Sequence, residues 1–474
     1  MTEHASWWGR TARRTPLLRG LPPEVGVLSA IAFCVALGFG IVAPAIPVFA
    51  RTFGVSAFLA GMVVSAFAFV RLISAPGAGA LVNRIGERRV LATGLAIVAV
   101  SSFAAAFAQS YPALIIMRAL GGVGSSMFTV SAMALLLRTV AAEQRGRATG
   151  AYQAGFLFGG VAGPAVGGVV VGISLRAPFL VYAVTLAAAT VVCLVWLRDP
   201  VPAGAEPTRG PDAGQPDDRA ADQPPDRGGK QSGVGAGQPP HVDSVEALES
   251  VNEVTPETNE IVEFADPDHH PDAVADRTMS LGTALRNRAY LAAIATNLGN
   301  GFSIFGLRSA LVPLFVVEGL RQGPGVAGVG FLVAAATQAV LLLPAGRLAD
   351  QRGRRPAMIM GNIASVAGMV MLAFSGNVWL FFLSMGVLGI SAAFLGPAPA
   401  AVVGDVTHGE RSGSPVAVFQ MVSDFGAIIG PLAAGLVLDS AGFGAAFAVG
   451  AVIMGLGLVT SLVMPETLRK SAAV

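Results

Sequence analysis

Long apolar runs alternate along this chain with short polar breaks marked by charge, glycine or proline. A helix needs about 20 apolar residues to cross the hydrocarbon core of a bilayer. Twelve runs meet that length: 24–50, 57–80, 90–109, 112–137, 147–172, 176–197, 288–317, 325–345, 356–375, 378–402, 414–438 and 442–464. The pattern predicts an all-α membrane protein with twelve transmembrane helices. Between the sixth and seventh runs lies 198–287, which opens RDPVPAGAEPTRGPDAGQPDDRAADQPPDRGGKQSG. Such a Pro-, Asp- and Gly-rich stretch cannot bury enough apolar surface to order itself, so a disordered linker is expected. Within it, Ser244 to Val254 could form a short helix.

The polar breaks repeat. GALVNRIGERR begins at Gly79, and GRLADQRGRR begins at Gly346, 267 positions later. The same offset maps Gly61 to Gly328, Gly86 to Gly353, Glu143 to Glu410, Gln153 to Gln420, and Gly163-Pro164 to Gly430-Pro431. One register held that far implies two pseudo-symmetric six-helix halves of parallel topology, 24–197 and 288–464. A basic arm (1–23) and a short tail (465–474) flank them. Repeats of this kind are typical of secondary transporters, whose halves rock about a site near the midplane.

Composition agrees: the chain is 53% hydrophobic and 13% charged, far from the mix of a soluble domain. A net charge of +2, with Lys230 and Lys470 the only lysines, excludes a strongly basic nucleic-acid reader. The expected partners are a small-molecule substrate and the lipid bilayer, with no nucleic acid, and a monomer is expected to function alone. Cys34 and Cys193 sit singly in apolar runs, so no disulfide or zinc site is expected. The histidines all lie outside the runs, and His269 and His270 read as solvated rather than metal-binding. The first run is too long for a signal peptide and reads as the first span. Arginines crowd the N-terminal arm, the 2–3 loop (Arg84, Arg88, Arg89) and the 4–5 loop (Arg138, Arg145, Arg147). By the positive-inside rule both termini and the linker are expected in the cytoplasm, in a multi-pass plasma-membrane protein.

The paired phrase resembles the loop motif G-x-L-x-D-R-x-G-R-R of the major facilitator superfamily, after helices 2 and 8. Three further motifs are similar to those of its twelve-helix drug:proton antiporters. They are LGFGIVAPAIP (Leu37 to Pro47) in helix 1, LIIMRALGGVG (Leu114 to Gly124) in helix 4, and GAYQAGFLFGGVAGPAVGG (Gly150 to Gly168) in helix 5. The resemblance covers both membrane halves and implies the major facilitator fold. It also implies gating loops in which Gly79, Asn83, Arg84, Gly86 and Arg88, and Gly346, Asp350, Arg352, Gly353, Arg354 and Arg355, latch helix ends together; plain topogenic arginine with turn glycine is the alternative. The first copy departs from the pattern: Asn83 stands where an acid is usual and Glu87 where a base is common. A weaker latch, or one through Glu87, is expected there. Glycines 79 and 86 are expected to allow close approach and turning.

In the helix-5 motif, Gly155, Gly159, Gly163 and Gly167 recur every four residues, lining one face for close helix approach. Pro164 invites a bend. The resemblance implies that this face, with Gly150 and Gly168, seals a central cavity in one state, a role that itself requires plain helix packing. Helix 11 repeats the pattern more loosely with Gly426, Gly430, Pro431 and Ala434.

Charges well inside the spans are Arg71, Arg118, Arg308 and Asp424. Each is costly in a bilayer and should face a cavity or a partner. The equivalent positions of Arg71 and Arg118 hold Gln338 and Met385, so the repeat breaks at its charges. Asp424 is the candidate proton carrier, or else one half of a structural ion pair. For Arg118 the resemblance implies a part in proton transfer, with a structural pair as the alternative. Arg71 can meet an anionic substrate group or snorkel. Gln153, Asn297, Asn300, Gln338 and Gln420 can line a substrate site or bridge helices. Phenylalanines (Phe39, Phe156, Phe158, Phe302, Phe305) would make the cavity apolar.

The pattern points to a secondary active transporter, expected to export hydrophobic drug-like or natural-product compounds against protons. The proton gradient would be its energy source, and no cofactor is expected. Transport of an anionic metabolite, inward or outward, is the alternative, motivated by three intramembrane arginines against one aspartate. A membrane enzyme or receptor-like scaffold lacks support: no P-loop, His/Glu metal pair or Ser/His constellation accompanies the spans.

Overall fold

The computed structural model describes residues 20–141, 144–197, 281–407 and 413–468. The basic arm to Arg19, the proposed helix at Ser244 to Val254, the linker over 198–280, Glu143, Glu410 and the last six residues lie outside them, as does the side chain of Phe305. The described residues are helical apart from short connections, with no strand among them.

The spans are α1 (Pro23–Arg51), α2 (Ala57–Ile85), α3 (Glu87–Ala106), α4 (Tyr111–Thr139), α5 (Arg145–Ile173) and α6 (Ala177–Trp196). In the second half they are α7 (Arg288–Gly319), α8 (Gly325–Arg352), α9 (Arg354–Ala373), α10 (Val378–Thr407), α11 (413–441) and α12 (443–463). The last two are separate helices joined directly at Gly442, whose φ of 82° lies in the left-handed region that favours glycine and lets the chain turn there. Both halves belong to one compact unit.

Local sequence sets the ends. Ser110 and Asn377, 267 residues apart, cap α4 and α10 by accepting from Ala113 N (3.5 Å) and Leu380 N (2.9 Å). Gly86 (φ 87°) and Gly353 (φ 122°) end α2 and α8 and begin α3 and α9. The repeated loop phrase is therefore mostly helix: α2 runs to Ile85 and α8 to Arg352, beyond the apolar runs that end at 80 and 345. Hydropathy marks where a helix leaves the apolar core, and the backbone hydrogen bonds carry it a further turn. The expected linker boundary at 287 also moves, because Leu281–Ala284 is a single helical turn with Ala284 fully buried. In α7 the regular ladder gives way to π-turns at Gly301–Leu307 and Phe315–Gly319, on either side of Pro313.

Lipid is as apolar as leucine, so helices in a bilayer associate through close backbone packing at small residues. The four-spaced glycines of α5 follow this rule against α1: Gly155 meets Ser29, Gly159 meets Phe33 and Ala36, Gly163 meets Leu37 and Gly40, and Gly167 meets Ile41. A methyl group added at Gly163 would lie 2.7 Å from the Leu37 carbonyl oxygen. The second half repeats the arrangement, with Gly426 and Gly430 of α11 against Leu298, Phe302 and Gly306 of α7. These faces build each half from within. Gly150 has open space around it.

An even number of spans returns Leu197 and Leu281 to the face where α1 begins, here the linker face. The α1–α2, α7–α8 and α11–α12 turns lie on the opposite face.

Candidate functional site

Two seams join the halves. Along the first, α2 packs on α11; along the second, α8 packs on α5. The repeat register relates them. Gly61 of α2 abuts Pro431 of α11, and its equivalent Gly328 of α8 abuts Pro164 and Gly168 of α5. Gly435 of α11 meets Ala57 and Phe58, while its equivalent Gly168 meets Gly325, the counterpart of Phe58. Gly168 therefore works between halves, whereas Gly155, Gly159, Gly163 and Gly167 work within one.

The first seam is polar. From the opposite face inward, Asp439 accepts hydrogen bonds from Ala57 N and Phe58 N, both at 2.9 Å. Ser65 donates to the Ile428 carbonyl at 2.7 Å. Midway along α2, Arg71 Nη2 donates to Asp424 Oδ1 at 2.7 Å. Beside this seam, on the opposite face, Arg51 makes a two-point pair with Glu318 (2.7 and 3.0 Å). Those two residues are themselves 267 positions apart, so the repeat meets itself there.

The ion-pair alternative for Asp424 takes Arg71 as its partner, and the pair joins the two halves. Arg71 has not snorkelled, and its contact with Asp424 is through a single nitrogen. Each side chain remains more than a third exposed (38% and 37%). Ile73 and Met421, just beyond the pair toward the linker face, are exposed as well. Among the described residues, no hydrogen bond joins α2 to α11 beyond this pair toward the linker face.

Arg118 is placed differently. It is 1% exposed, its guanidinium carbon lies 4.7 Å from the Phe67 ring centroid, and Nε and Nη1 have no hydrogen-bond partner. A cation over an aromatic face regains part of what it loses on leaving water. Tyr182 lies within electrostatic reach. Arg308 sits 5.7 Å from the Phe331 ring centroid, with Nε also unpartnered.

The remaining polar candidates divide. Asn297 donates to the Phe419 carbonyl at 2.7 Å, joining α7 to α11, and Asn300 donates to the Leu395 carbonyl at 3.2 Å, joining α7 to α10. Both bridge helices inside the second half, although the buried Oδ1 of Asn300 has no partner. Gln338 is half-buried, and Gln153 and Gln420 are exposed. Phe156 packs on Tyr152 and Phe128 in the core of the first half, with centroids 5.2 and 6.1 Å away. Phe39 is exposed.

At the linker face the loop phrases hold helices within each half. Glu87, 6% exposed, pairs with Arg138 of α4. The equivalent positions hold Arg354 and Asp405, which pair at 3.2 Å with the charges exchanged. Arg354 also pairs with Asp350, and Arg88 Nη2 donates to the Leu194 carbonyl at 2.5 Å. Glu466 receives the backbone N–H groups of Arg354 and Arg355 (2.8 and 3.1 Å), closing the start of α9. Asn83, Arg84 and Arg352 are exposed. Gly79 and Gly346 have open space around them, so neither makes the expected close approach here. Glu318, Asp439 and Glu466 went unmarked in the sequence because each stands at a span end. The signal that could have found Glu318 is its register partner Arg51.

The chain matches the family model described as Major Facilitator Superfamily over residues 28–318 and 293–473. It is 28% identical over 177 residues to the quinolone resistance protein NorA of Staphylococcus aureus, covering 37% of this chain and 46% of that protein. It is 29% identical over 168 residues to multidrug resistance protein 1 of Bacillus subtilis, covering 35% and 43%. The matched stretch spans less than half the length of either relative. A mutant of the nucleoside transporter NupG shares the fold with a TM-score of 0.61 at 14% identity, over 92% of this chain and 98% of that one. A bacterial homologue of the lysosomal transporter Spinster, in an inward-facing and unoccupied conformation, shares it with a TM-score of 0.64 at 14% identity, over 95% and 98%. Twelve apolar spans in two register-related halves and a family match running through both lead to one conclusion: this chain belongs to the Major Facilitator Superfamily.

Proposed function

We propose that this protein exports hydrophobic, drug-like compounds by alternating access, driven by protons that load and unload Asp424. The observation that carries the reading is the Arg71–Asp424 pair, 2.7 Å long, linking the two halves at the inner end of a seam. With Asp424 charged, the pair draws α2 and α11 together. A proton on Asp424 removes that attraction, so proton binding and seam opening are coupled. The opposite face is then the outer one, the linker face is cytoplasmic, and the plasma membrane supplies the gradient. A charge moving through about 100 mV releases about 2.3 kcal/mol, enough to sustain a roughly fortyfold substrate gradient. No cofactor is needed, and one chain suffices. The resistance relatives support a drug-like substrate.

The test expresses the wild type and Asp424→Asn at equal membrane levels in efflux-deficient bacteria and follows a fluorescent lipophilic cation. Low accumulation in the wild type, abolished by a protonophore and missing in Asp424→Asn, is expected. Equal accumulation in wild type and empty vector would sink the drug-pump reading. A second reading, transport of an organic anion, is favoured by the unpartnered guanidinium nitrogens of Arg118 and Arg308. It predicts uptake or export of labelled carboxylates that Arg71→Gln or Arg118→Gln removes.

A further inference from the structure

The two seams are equivalent by register but not in chemistry, and the difference concentrates at the opposite face. In the first seam the carboxylate of Asp439, at the end of α11, sits across the N-terminus of α2 and takes both Ala57 N–H and Phe58 N–H. Those donors are among the groups a helix start leaves unsatisfied, and a negative charge there is favoured by the helix dipole. In the second seam the position equivalent to Asp439 is Gly172, and the position equivalent to Ala57 is Pro324, which has no N–H to offer. The equivalent of Ser56, which caps α2 from its own half at 3.3 Å, is Gly323. Among the described residues, the cap that crosses between halves belongs to the first seam alone. Arg51, paired to Glu318, lies within electrostatic reach of Asp439 and ties the same corner.

We propose that Asp439 is a positioning residue that holds the opposite face shut, its carboxylate acting as a cross-half cap that must release whenever that face opens. The inference rests on the alternating-access reading and adds to it a named closing element. The cap is made entirely by the closed state: α2 keeps Ser56 when the halves part, but Phe58 N–H and Ala57 N–H lose their acceptor to water. Losing a helix cap of this kind shifts an equilibrium by roughly tenfold.

The experiment places spin labels at Thr52→Cys and Gln322→Cys, exposed residues of the two halves on the opposite face, in full-length protein in lipid nanodiscs. Cys34→Ala and Cys193→Ala remove the native thiols. Pulsed distance measurement then reads the ratio of short to long distances. Asp439→Ala is expected to lower that ratio roughly tenfold, and Asp439→Asn to lower it by less. Ser56→Ala weakens the same helix end from within one half and is expected to leave the ratio within about twofold. An unchanged ratio in Asp439→Ala, or an equal shift in Ser56→Ala, overturns the proposal. A wild type that shows only the short distance, with or without a lipophilic dye, sinks alternating access instead. Even then, Asp439→Ala must populate the long distance for the cap to stand.

Discussion

The α2/α11 seam and the α8/α5 seam share glycine–proline contacts at matched positions, yet one carries charge and the other does not. Where the first has Arg71, Asp424, Ser65 and Asp439, the second has Gln338, Leu157, Leu332 and Gly172. Backbone contact supplies shape to both, while the polar set supplies an attraction that a proton or water can remove. A transporter needs one interface that survives repeated parting and one whose strength can be changed. Under the proposed alternating access, the glycine seam would serve as a bearing and the polar seam as a latch.

The largest break in this comparison comes from the part the seams share. Gly328→Val would drive a branched side chain into the Gly168 backbone, and Gly61→Val would do the same at Pro431. Overpacking on this scale costs about 1–3 kcal/mol or more, so both variants should lose closure of the opposite face and nearly all efflux. Pulsed distances and dye accumulation check this, and efflux by either variant at half the wild-type rate would refute a shared bearing. Next in size is conversion of the latch into its counterpart. Arg71→Gln leaves Asp424 without its cation and should lower thermal stability by the equivalent of about 1–2 kcal/mol, discounted for the exposure of both groups. The double variant Arg71→Gln, Asp424→Leu reproduces the Gln338/Leu157 pair of the second seam. It should be more stable than the single variant, because no unpaired charge remains, while the proposed proton coupling is lost. A double variant that melts below the single one would contradict this account.

Much of the framework was legible beforehand. Twelve apolar runs and a constant 267-residue register contain the helix count, the two halves and the equivalence of Gly61 with Gly328. Register does not say which way a helix is rotated. Gly155, Gly159, Gly163 and Gly167 of α5 meet α1, whereas the neighbouring Gly168 meets α8 of the other half. Arg71 and Asp424 were visible as costly charges, but their partnership depends on α2 and α11 presenting matching faces, which no single helix encodes. Arg51, Glu318 and Asp439 were passed over because a charge at a span end is ordinary in a membrane protein. For Asn297 and Asn300 the sequence left lining a site or bridging helices open, and each donates to the carbonyl of a neighbouring helix.

At the linker face the two halves differ in the polarity of a matched ion pair. Glu87–Arg138 and Arg354–Asp405 hold the same corner of each half with opposite polarity. If only the pairing matters, Glu87→Arg with Arg138→Glu should fold and transport near the wild-type level. Either substitution alone should cost about 1 kcal/mol in thermal stability, more for Glu87 because it is the buried partner. Failure of the exchange to restore stability would mean that one polarity is required on that side.

The smallest expected effect adds what the second seam lacks. Gly172 has open space around it, so Gly172→Asp introduces a carboxylate at the position equivalent to Asp439 without a clash. It should meet the start of α8, where Gly325 N–H is free to donate by register but Pro324 has nothing to give. Half a cap is worth about 0.5 kcal/mol, a roughly twofold shift toward the closed opposite face. Efflux should slow rather than stop, because a second latch lengthens the time spent closed without blocking the path. If Gly172→Asp leaves both the distance ratio and the efflux rate untouched, a carboxylate at a helix start is not enough to make a latch. The strength of the first seam would then have to come from Arg71–Asp424 and Arg51–Glu318 acting together.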